Sequence, residues 1–360
     1  MDSNSTLPAS RLDAESIDLI AQGAGILGSG GGGSTYLGRL LAQSAIGRGS
    51  GVRIVALDAV KPGSLVVCIA QVGAPVVLAE RLGRGTEAAL ALATLEEHLG
   101  ERAVAVACEE IGGVNSLVPM LVAAQRDLPL LDADAMGRAF PSLFQTTMAI
   151  YGADPLPVAL SDDEGNTLVF HAVDQLALER LGRAATIAMG GLAYMAQQVP
   201  RDIAIDRVLI PGSYSRAYAI GLALTEARGR ADLTSLELGP GGRVLYSGMI
   251  QTVERRPANQ GMLTITGQGR GFSGALRIGF QTEYLLAWRG DELLAATPDV
   301  IAIVDDETGE PVSTEAVQVG LRVVALSLDA GPRLTTPQAL ARLGPTAFGF
   351  DEVYPRPRTD

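Results

Sequence analysis

Hydrophobic residues in the first part of the chain follow helical and strand-like patterns in turn. Apolar side chains recur at helical spacing between residues 12 and 24, which predicts a helix leading into the glycine tract 28–33. Short runs of β-branched residues predict strands at 52–57, 64–70 and 103–107. Stretches rich in alanine and leucine predict helices at 86–99 and 116–126. The alternation favours an N-terminal α/β domain over residues 1–170, with a mostly parallel sheet covered on both faces.

The pattern changes near residue 170. Two long alanine-rich stretches, 173–197 and 213–229, predict helices. The apolar runs that follow are separated by turn sequences such as 308–311, and they predict antiparallel strands. We therefore expect a C-terminal domain over residues 171–360, with two helices and then mainly β structure. No low-complexity linker separates the two domains, so we expect them to pack closely.

Composition narrows the classes of partner. The net charge of −12 and the lack of a Lys/Arg run exclude a nucleic-acid or anionic-membrane partner. Residues 1–10 lack the apolar segment of a signal peptide, and no run approaches the ~18 apolar residues of a membrane span. We expect a cytoplasmic protein that acts on a small molecule and forms a homo-oligomer.

Cysteine and histidine are too scarce to carry most familiar chemistries. Cys68 and Cys108 lie in apolar runs, which is typical of small buried residues, and nothing basic nearby activates Cys108 as a nucleophile. His98 and His171 have no neighbouring ligand pattern. A histidine-rich amidohydrolase metal site is therefore excluded, and a serine triad would depend on one of these two residues.

The glycine tract is the first candidate binding element. Residues 23–28 match the G-x-G-x-x-G spacing of dinucleotide-binding turns, but a helix precedes them where that motif needs a strand. The residues that follow carry little side chain to block close approach of backbone amides to an anion or an amide-like ring. These candidate substrate-binding residues are Gly30, Gly31, Gly32, Gly33 and Ser34. The alternative is a flexible turn.

A second candidate element, Glu109 to Asn115, follows a predicted strand and precedes a helix. Ligands of open α/β sheets bind at the carboxyl ends of such strands. Adjacent carboxylates point in different directions, so we expect Glu110 to serve the site while Glu109 is solvated. Asn115 is a candidate ligand-binding residue, or alternatively only a helix cap.

A third candidate element follows the next predicted strand. Asp132 and Asp134 alternate along an extended chain and therefore face the same side. Together with Glu110 they are candidates for a divalent metal site, or one of them acts as a general acid or base. Arg138 nearby is a candidate substrate-binding residue, or alternatively neutralises the two aspartates in an ion pair.

Ordered segments along the chain resemble the DUF917 family of S-methyl thiohydantoin desulfurases. They are GAGILGSGGGGSTYLG, QVGAPVVLAERL, EEIGGVNSLVPM, LLDADAMGRAFP, GFQTEYLLAW, TPDVIAIVDDETGEPV and LGPTAFGFDEVYP. The resemblance implies an α/β domain, a largely β domain and action on five-membered cyclic ureides or thioureides. Ser142, Thr282 and Ala135 stand where the family usually has Glu, Asn and Gly. The loss of that Glu implies altered chemistry or a different substrate if it is catalytic in typical members.

The resemblance, taken with the candidate residues, leads to a mechanistic hypothesis. Water attacks C2 of a thiohydantoin or S-methylthiohydantoin ring, giving a hydantoin and releasing hydrogen sulfide or methanethiol. Glu110 or Asp134 is the expected base. Asn115 and the glycine amides hold the ring, Arg138 fixes an acidic substituent, and Glu283 closes the site from the second domain. No cofactor is required, although a divalent metal on the three acids fits as a variant. The alternatives are a cyclic amidohydrolase and a non-catalytic ligand-binding subunit.

Overall fold

The computed structural model describes residues 10–47, 51–74, 83–151, 156–257, 260–267 and 272–355, together with residues 7, 77, 80 and 81. Its helices are α1 Ala14–Leu27, α2 Thr35–Ile46, α3 Glu87–Leu99, α4 Val118–Arg126, α5 Thr147–Ile150, α6 Gln175–Ala188, α7 Ile205–Val208, α8 Ser213–Gly229 and α9 Pro337–Leu343. Short 3₁₀ helices span Leu57–Ala59, Gly113–Ser116, Leu143–Gln145, Leu233–Ser235 and Pro345–Phe348.

The strands fall into two sheets. Those of the first sheet are β1 Arg11–Leu12, β2 Val52–Val55, β3 Val66–Gly73, β4 Ala105–Cys108, β5 Leu130–Asp134, β6 Val158–Ser161, β7 Thr167–Phe170, β8 Leu192–Gln198 and β9 Ile210–Pro211. Those of the second sheet are β10 Gly242–Arg255, β11 Gly261–Thr266, β12 Ala275–Phe280, β13 Tyr284–Arg289, β14 Glu292–Ala296, β15 Val300–Asp305 and β16 Arg322–Leu328.

The first sheet has the order β1-β2-β5-β4-β3-β8-β6-β7, with β9 paired to β5. The four central strands β2, β5, β4 and β3 run parallel, and the other pairs are antiparallel. The predicted α/β class is confirmed, with parallel pairing confined to that central part. Strands β3 and β4 are apolar almost throughout, since each is buried on both faces.

The second sheet, β14-β13-β12-β11-β10-β16-β15, is antiparallel throughout, which confirms the predicted mainly β domain. One face packs on a core that includes Ile250, Ile265, Ile278 and Val323. The boundary at residue 170 stays a prediction.

The long helix predicted over 173–197 is wrong in its second half. Helix α6 ends at Ala188, and Gly190 and Gly191 follow with positive φ angles of 88°. The chain then enters β8, which pairs antiparallel with β3 inside the first sheet. An apolar run buried on both faces has no alternating pattern, so alanine content alone does not distinguish it from a helix.

The dinucleotide-like spacing of the glycines is explained by helix packing. Residues 23–27 lie inside α1, which packs along α8. A Cβ at Gly23 would overlap the carbonyl oxygen of Ala217, and a Cβ at Gly221 would overlap that of Leu19. The glycines therefore let two helix backbones approach closely, and this geometry leaves no βα turn for a pyrophosphate group.

Candidate active site between the two domains

A cleft of about 1370 Å³ opens at the carboxyl ends of the parallel strands. Its walls include the glycine loop 28–33, the turn after β4 and the turn before β13. The site therefore draws residues from both sheets. This position agrees with the general location of ligand sites in open α/β sheets.

The second domain fixes the conformation of the glycine loop. Gly30 and Gly32 have φ angles of 85° and 74°, which L side chains rarely adopt. Tyr284 N donates to Ser29 O at 2.7 Å, and Thr314 N donates to Gly30 O at 2.9 Å. These hydrogen bonds hold the loop in place, so it is not a freely flexible turn.

The loop presents main-chain donors to the cleft. Val114 N donates to Gly32 O at 2.9 Å, whereas within the described residues no acceptor is bonded to the amide N–H of Gly32 or Gly33. The exposed Ser34 then caps α2, and its Oγ accepts from Tyr36 N. The free amides lie beside the positive end of the helix dipole and suit a developing negative charge.

Two glutamate side chains lie against this loop, one from each domain. A Cβ at Gly32 would lie 3.1 Å from Glu110 Oε1, and a Cβ at Gly31 would lie 2.5 Å from Glu283 Oε1. Only glycine leaves room for both carboxyl groups. Both side chains are buried, at 7% and 4% exposure. Glu110 Oε1 has no hydrogen-bond partner among the described residues, while Glu283 Oε2 accepts from Thr282 Oγ1 at 2.6 Å.

Burial separates the protonation behaviour of this pair. It raises the pKa of Glu283 to about 7, against the opposing effects of the Thr282 hydroxyl and the Arg138 charge. Burial and the neighbouring Glu283 and Asp134 carboxylates raise the pKa of Glu110 well above its usual range. Near neutral pH Glu110 therefore keeps its proton and Glu283 titrates. Such a division is typical of an acid and a base in one site.

The structure does not bring Arg138 to the cleft wall. Its side chain is fully buried, and the guanidinium donates to the main-chain carbonyls of Ala139, Asp299 and Tyr284. Burial lowers the pKa of Arg138 to about 10, while the charge of Glu283 acts in the opposite direction. Arg138 thus holds the two domains together beneath the site, and its donors are not directed at a substrate substituent.

Asp132 and Asp134 share a face, as their alternation predicts, but they hold protein groups. Asp134 accepts from the amides of Ile111, Met136 and Gly137 and from Ser213 Oγ. Asp132 accepts from the amides of Tyr214 and Ser215 and from Ser215 Oγ.

Neither aspartate lines the cleft, so this placement argues against the catalytic and metal-binding roles expected of the pair. Within the described ranges, no group of three or more His, Cys, Asp or Glu side chains has an arrangement suited to a metal ion.

Asn115 does line the cleft, and a main-chain contact orients it. Its Oδ1 accepts from Gln71 N at 2.7 Å, so Nδ2 is the part of the amide left for a ligand. The nearby Cys108 is buried, and its Sγ donates to Glu110 O at 2.8 Å and to Asn115 O at 3.2 Å. Burial raises the pKa of Cys108 well above its usual range, so this thiol supports the loop and is not an activated nucleophile.

The expectation that Glu109 is solvated is wrong. Its side chain is 1% exposed, lines the cleft and has no partner for either carboxylate oxygen among the described residues. The sequence contained one signal, because an uninterrupted apolar strand leads directly into these acids. Two of the three atypical positions also reach the cleft: Ser142 lines it and Thr282 orients Glu283, whereas Ala135 is buried.

The two histidines lie elsewhere. The rings of His98 and His171 contact each other, with 5.3 Å between their centroids, and neither lines the cleft. In addition, no helix within the described ranges combines the length and the apolar character needed to cross a bilayer.

The fold and the site together define a two-domain protein with a glutamate-bearing cleft between an α/β domain and an antiparallel β domain. Residues 15–172 match the family model described as "S-Me-THD-like, N-terminal domain", and residues 173–357 match "S-Me-THD-like, C-terminal domain". The chain belongs to the S-Me-THD-like family, which confirms the resemblance to the S-methyl thiohydantoin desulfurases.

A crystal structure of a protein from Chromobacterium violaceum is similar over nearly the whole length. The identity is 24%, the TM-score is 0.77, and the alignment covers 96% of this chain and 99% of that chain. This likeness shows a shared fold. Among curated proteins, none matches the sequence.

Proposed function

We propose that the protein hydrolyses a thiohydantoin or S-methylthiohydantoin ring at C2, giving a hydantoin and releasing hydrogen sulfide or methanethiol. The observation that carries the proposal is the pair of buried glutamates, Glu110 and Glu283, on either side of the fixed glycine loop. Membership of the S-Me-THD-like family supports the choice of a thiohydantoin-type substrate.

The division of protonation states gives each glutamate a role. Glu283, ionised, takes a proton from water as the water oxygen bonds to C2. Glu110, protonated, gives its proton to sulfur as the C2–S bond breaks. As the C2 carbonyl forms, the remaining hydroxyl proton moves to the ring nitrogen. Transfer of a proton from Glu283 to Glu110 then restores the pair.

The glycine loop stabilises the charge that develops during the addition. Attack of water on C2 places negative charge on the ring, next to the free N–H groups of Gly32 and Gly33. Because the second domain fixes the loop, these donors need no reorganisation when the charge appears. The Nδ2 group of Asn115 is a further donor to the ring from the opposite wall.

An assay with purified protein tests the reaction class. We expect a thiohydantoin to release sulfide and an S-methylthiohydantoin to release methanethiol, each with one hydantoin formed per sulfur lost. Opening of the ring would instead show a cyclic amidohydrolase. Thermal stabilisation by the ring without turnover would show a non-catalytic binding subunit, and the absence of all three responses would contradict the proposal.

A further inference from the structure

The mechanism leaves one buried carboxyl group without a task. Glu109 is 1% exposed, and both of its oxygens lack a hydrogen-bond partner among the described residues. Buried polar atoms in native proteins are almost always paired, and an orphaned carboxyl group costs more than an orphaned neutral group. Because Glu109 lines the cleft, the missing partner can come from a bound ligand.

The surroundings of Glu109 are apolar and rigid. Its amide donates to Ile69 O, and Ile69 is the register partner of Cys108, so Glu109 faces the same side of the sheet as Ala70. Ala70 pairs with Met195, which pairs with Leu160, and all three line the cleft. A ligand that reaches Glu109 therefore lies on an apolar surface, with this carboxyl group as the polar contact.

We propose that Glu109 is a substrate-binding residue that recognises the lactam edge of the ring, where an N–H group and a C=O group lie side by side. A neutral carboxyl group matches this edge at two points. Its hydroxyl donates to the ring carbonyl, and its carbonyl oxygen accepts from the ring N–H. This inference rests on the proposed function, because it assigns the cyclic ureide an orientation in the same cleft.

The protonation state of Glu109 suits this contact. Burial raises the pKa of Glu109 to about 8, with a further contribution from Asp134 and an opposing one from the Cys68 thiol. The other titratable group next to it is Glu110, which itself stays protonated near neutral pH. Glu109 is thus mainly neutral at pH 7 and able both to donate and to accept.

Calorimetric titration with unsubstituted hydantoin tests the contact without requiring turnover. Glu109→Gln keeps one donor and one acceptor, so we expect an affinity within about threefold of wild type. Glu109→Leu has a similar volume but no polar atoms. We expect it to bind about thirtyfold more weakly, as the loss of two hydrogen bonds implies. Thermal unfolding of both variants verifies that they are folded.

A second ligand and a pH series separate recognition from a structural role. 1,3-Dimethylhydantoin has no N–H, so we expect weak binding to wild type and no further loss in Glu109→Leu. The affinity of wild type for hydantoin falls as pH rises through about 8, because ionised Glu109 loses its donor. Glu109→Gln shows no such fall.

Two results would overturn the inference: unchanged hydantoin binding by Glu109→Leu, or equal affinity of wild type for hydantoin and its dimethyl derivative. The proposed reaction can fail separately. Hydantoin binding that depends on Glu109 without any release of sulfur would support the inference and contradict the desulfurase function. Sulfur release with normal hydantoin binding by Glu109→Leu would do the reverse.

Discussion

Glu283→Gln is expected to lower the rate of thiol release from an S-methylthiohydantoin by about a hundredfold to ten-thousandfold, the usual contribution of a general base. The amide keeps the shape of the side chain beside Gly31 but cannot take a proton from water. Steady-state rates at saturating substrate measure the effect. Glu315→Gln is the matched control, since Glu315 is an exposed glutamate on the same cleft.

The pH profile gives the same prediction a sign. Only ionised Glu283 acts as the base, so the wild-type rate rises as pH increases through about 7. The rate falls again at higher pH, when Glu110 loses the proton that it gives to sulfur. Glu283→Gln loses the rising limb and Glu315→Gln retains it. A rising limb that persists in Glu283→Gln would assign the base to another residue.

Arg138→Met is expected to lower the free energy of unfolding by about 3–5 kcal/mol, the range for breaking a buried charged interaction by removing one partner. The guanidinium joins the first domain to the carbonyls of Asp299 and Tyr284, and methionine would leave these acceptors buried and unpaired. Urea unfolding monitored by circular dichroism measures the change. It also removes the positive charge near Glu283, so the rising limb of the pH profile moves to higher pH.

Arg53→Met provides the comparison for Arg138, because Arg53 is exposed on β2. We expect it to change stability by no more than about 0.5 kcal/mol. Similar stability losses in the two variants, or a loss below about 1 kcal/mol in Arg138→Met, would show that the guanidinium does not join the domains.

The alternation of apolar runs was sufficient to predict the α/β class and the β-rich second domain. It failed at 192–198, where a strand buried on both faces lacks the alternating pattern that distinguishes strands from helices. The position of this strand beside β3 is a long-range pairing that local sequence does not contain.

The site could be predicted only in part for a related reason. Glycines and acids after strands correctly indicated the edge of the sheet where the cleft opens. Asp134 and Glu110 look equivalent in sequence, yet the first accepts four hydrogen bonds from the protein and the second keeps an oxygen free. This difference depends on where α8 begins, at Ser213, far along the chain.

The central claim is that water attacks C2 while Glu110 protonates the departing sulfur, and one measurement tests it most directly. S-methylthiohydantoin is incubated with the protein in heavy-oxygen water, and the products are analysed by mass spectrometry. We predict one heavy oxygen atom in each hydantoin formed, one methanethiol released for each hydantoin, and loss of both products with Glu110→Gln. A ring-opened product, or unchanged thiol release by Glu110→Gln, would contradict the account.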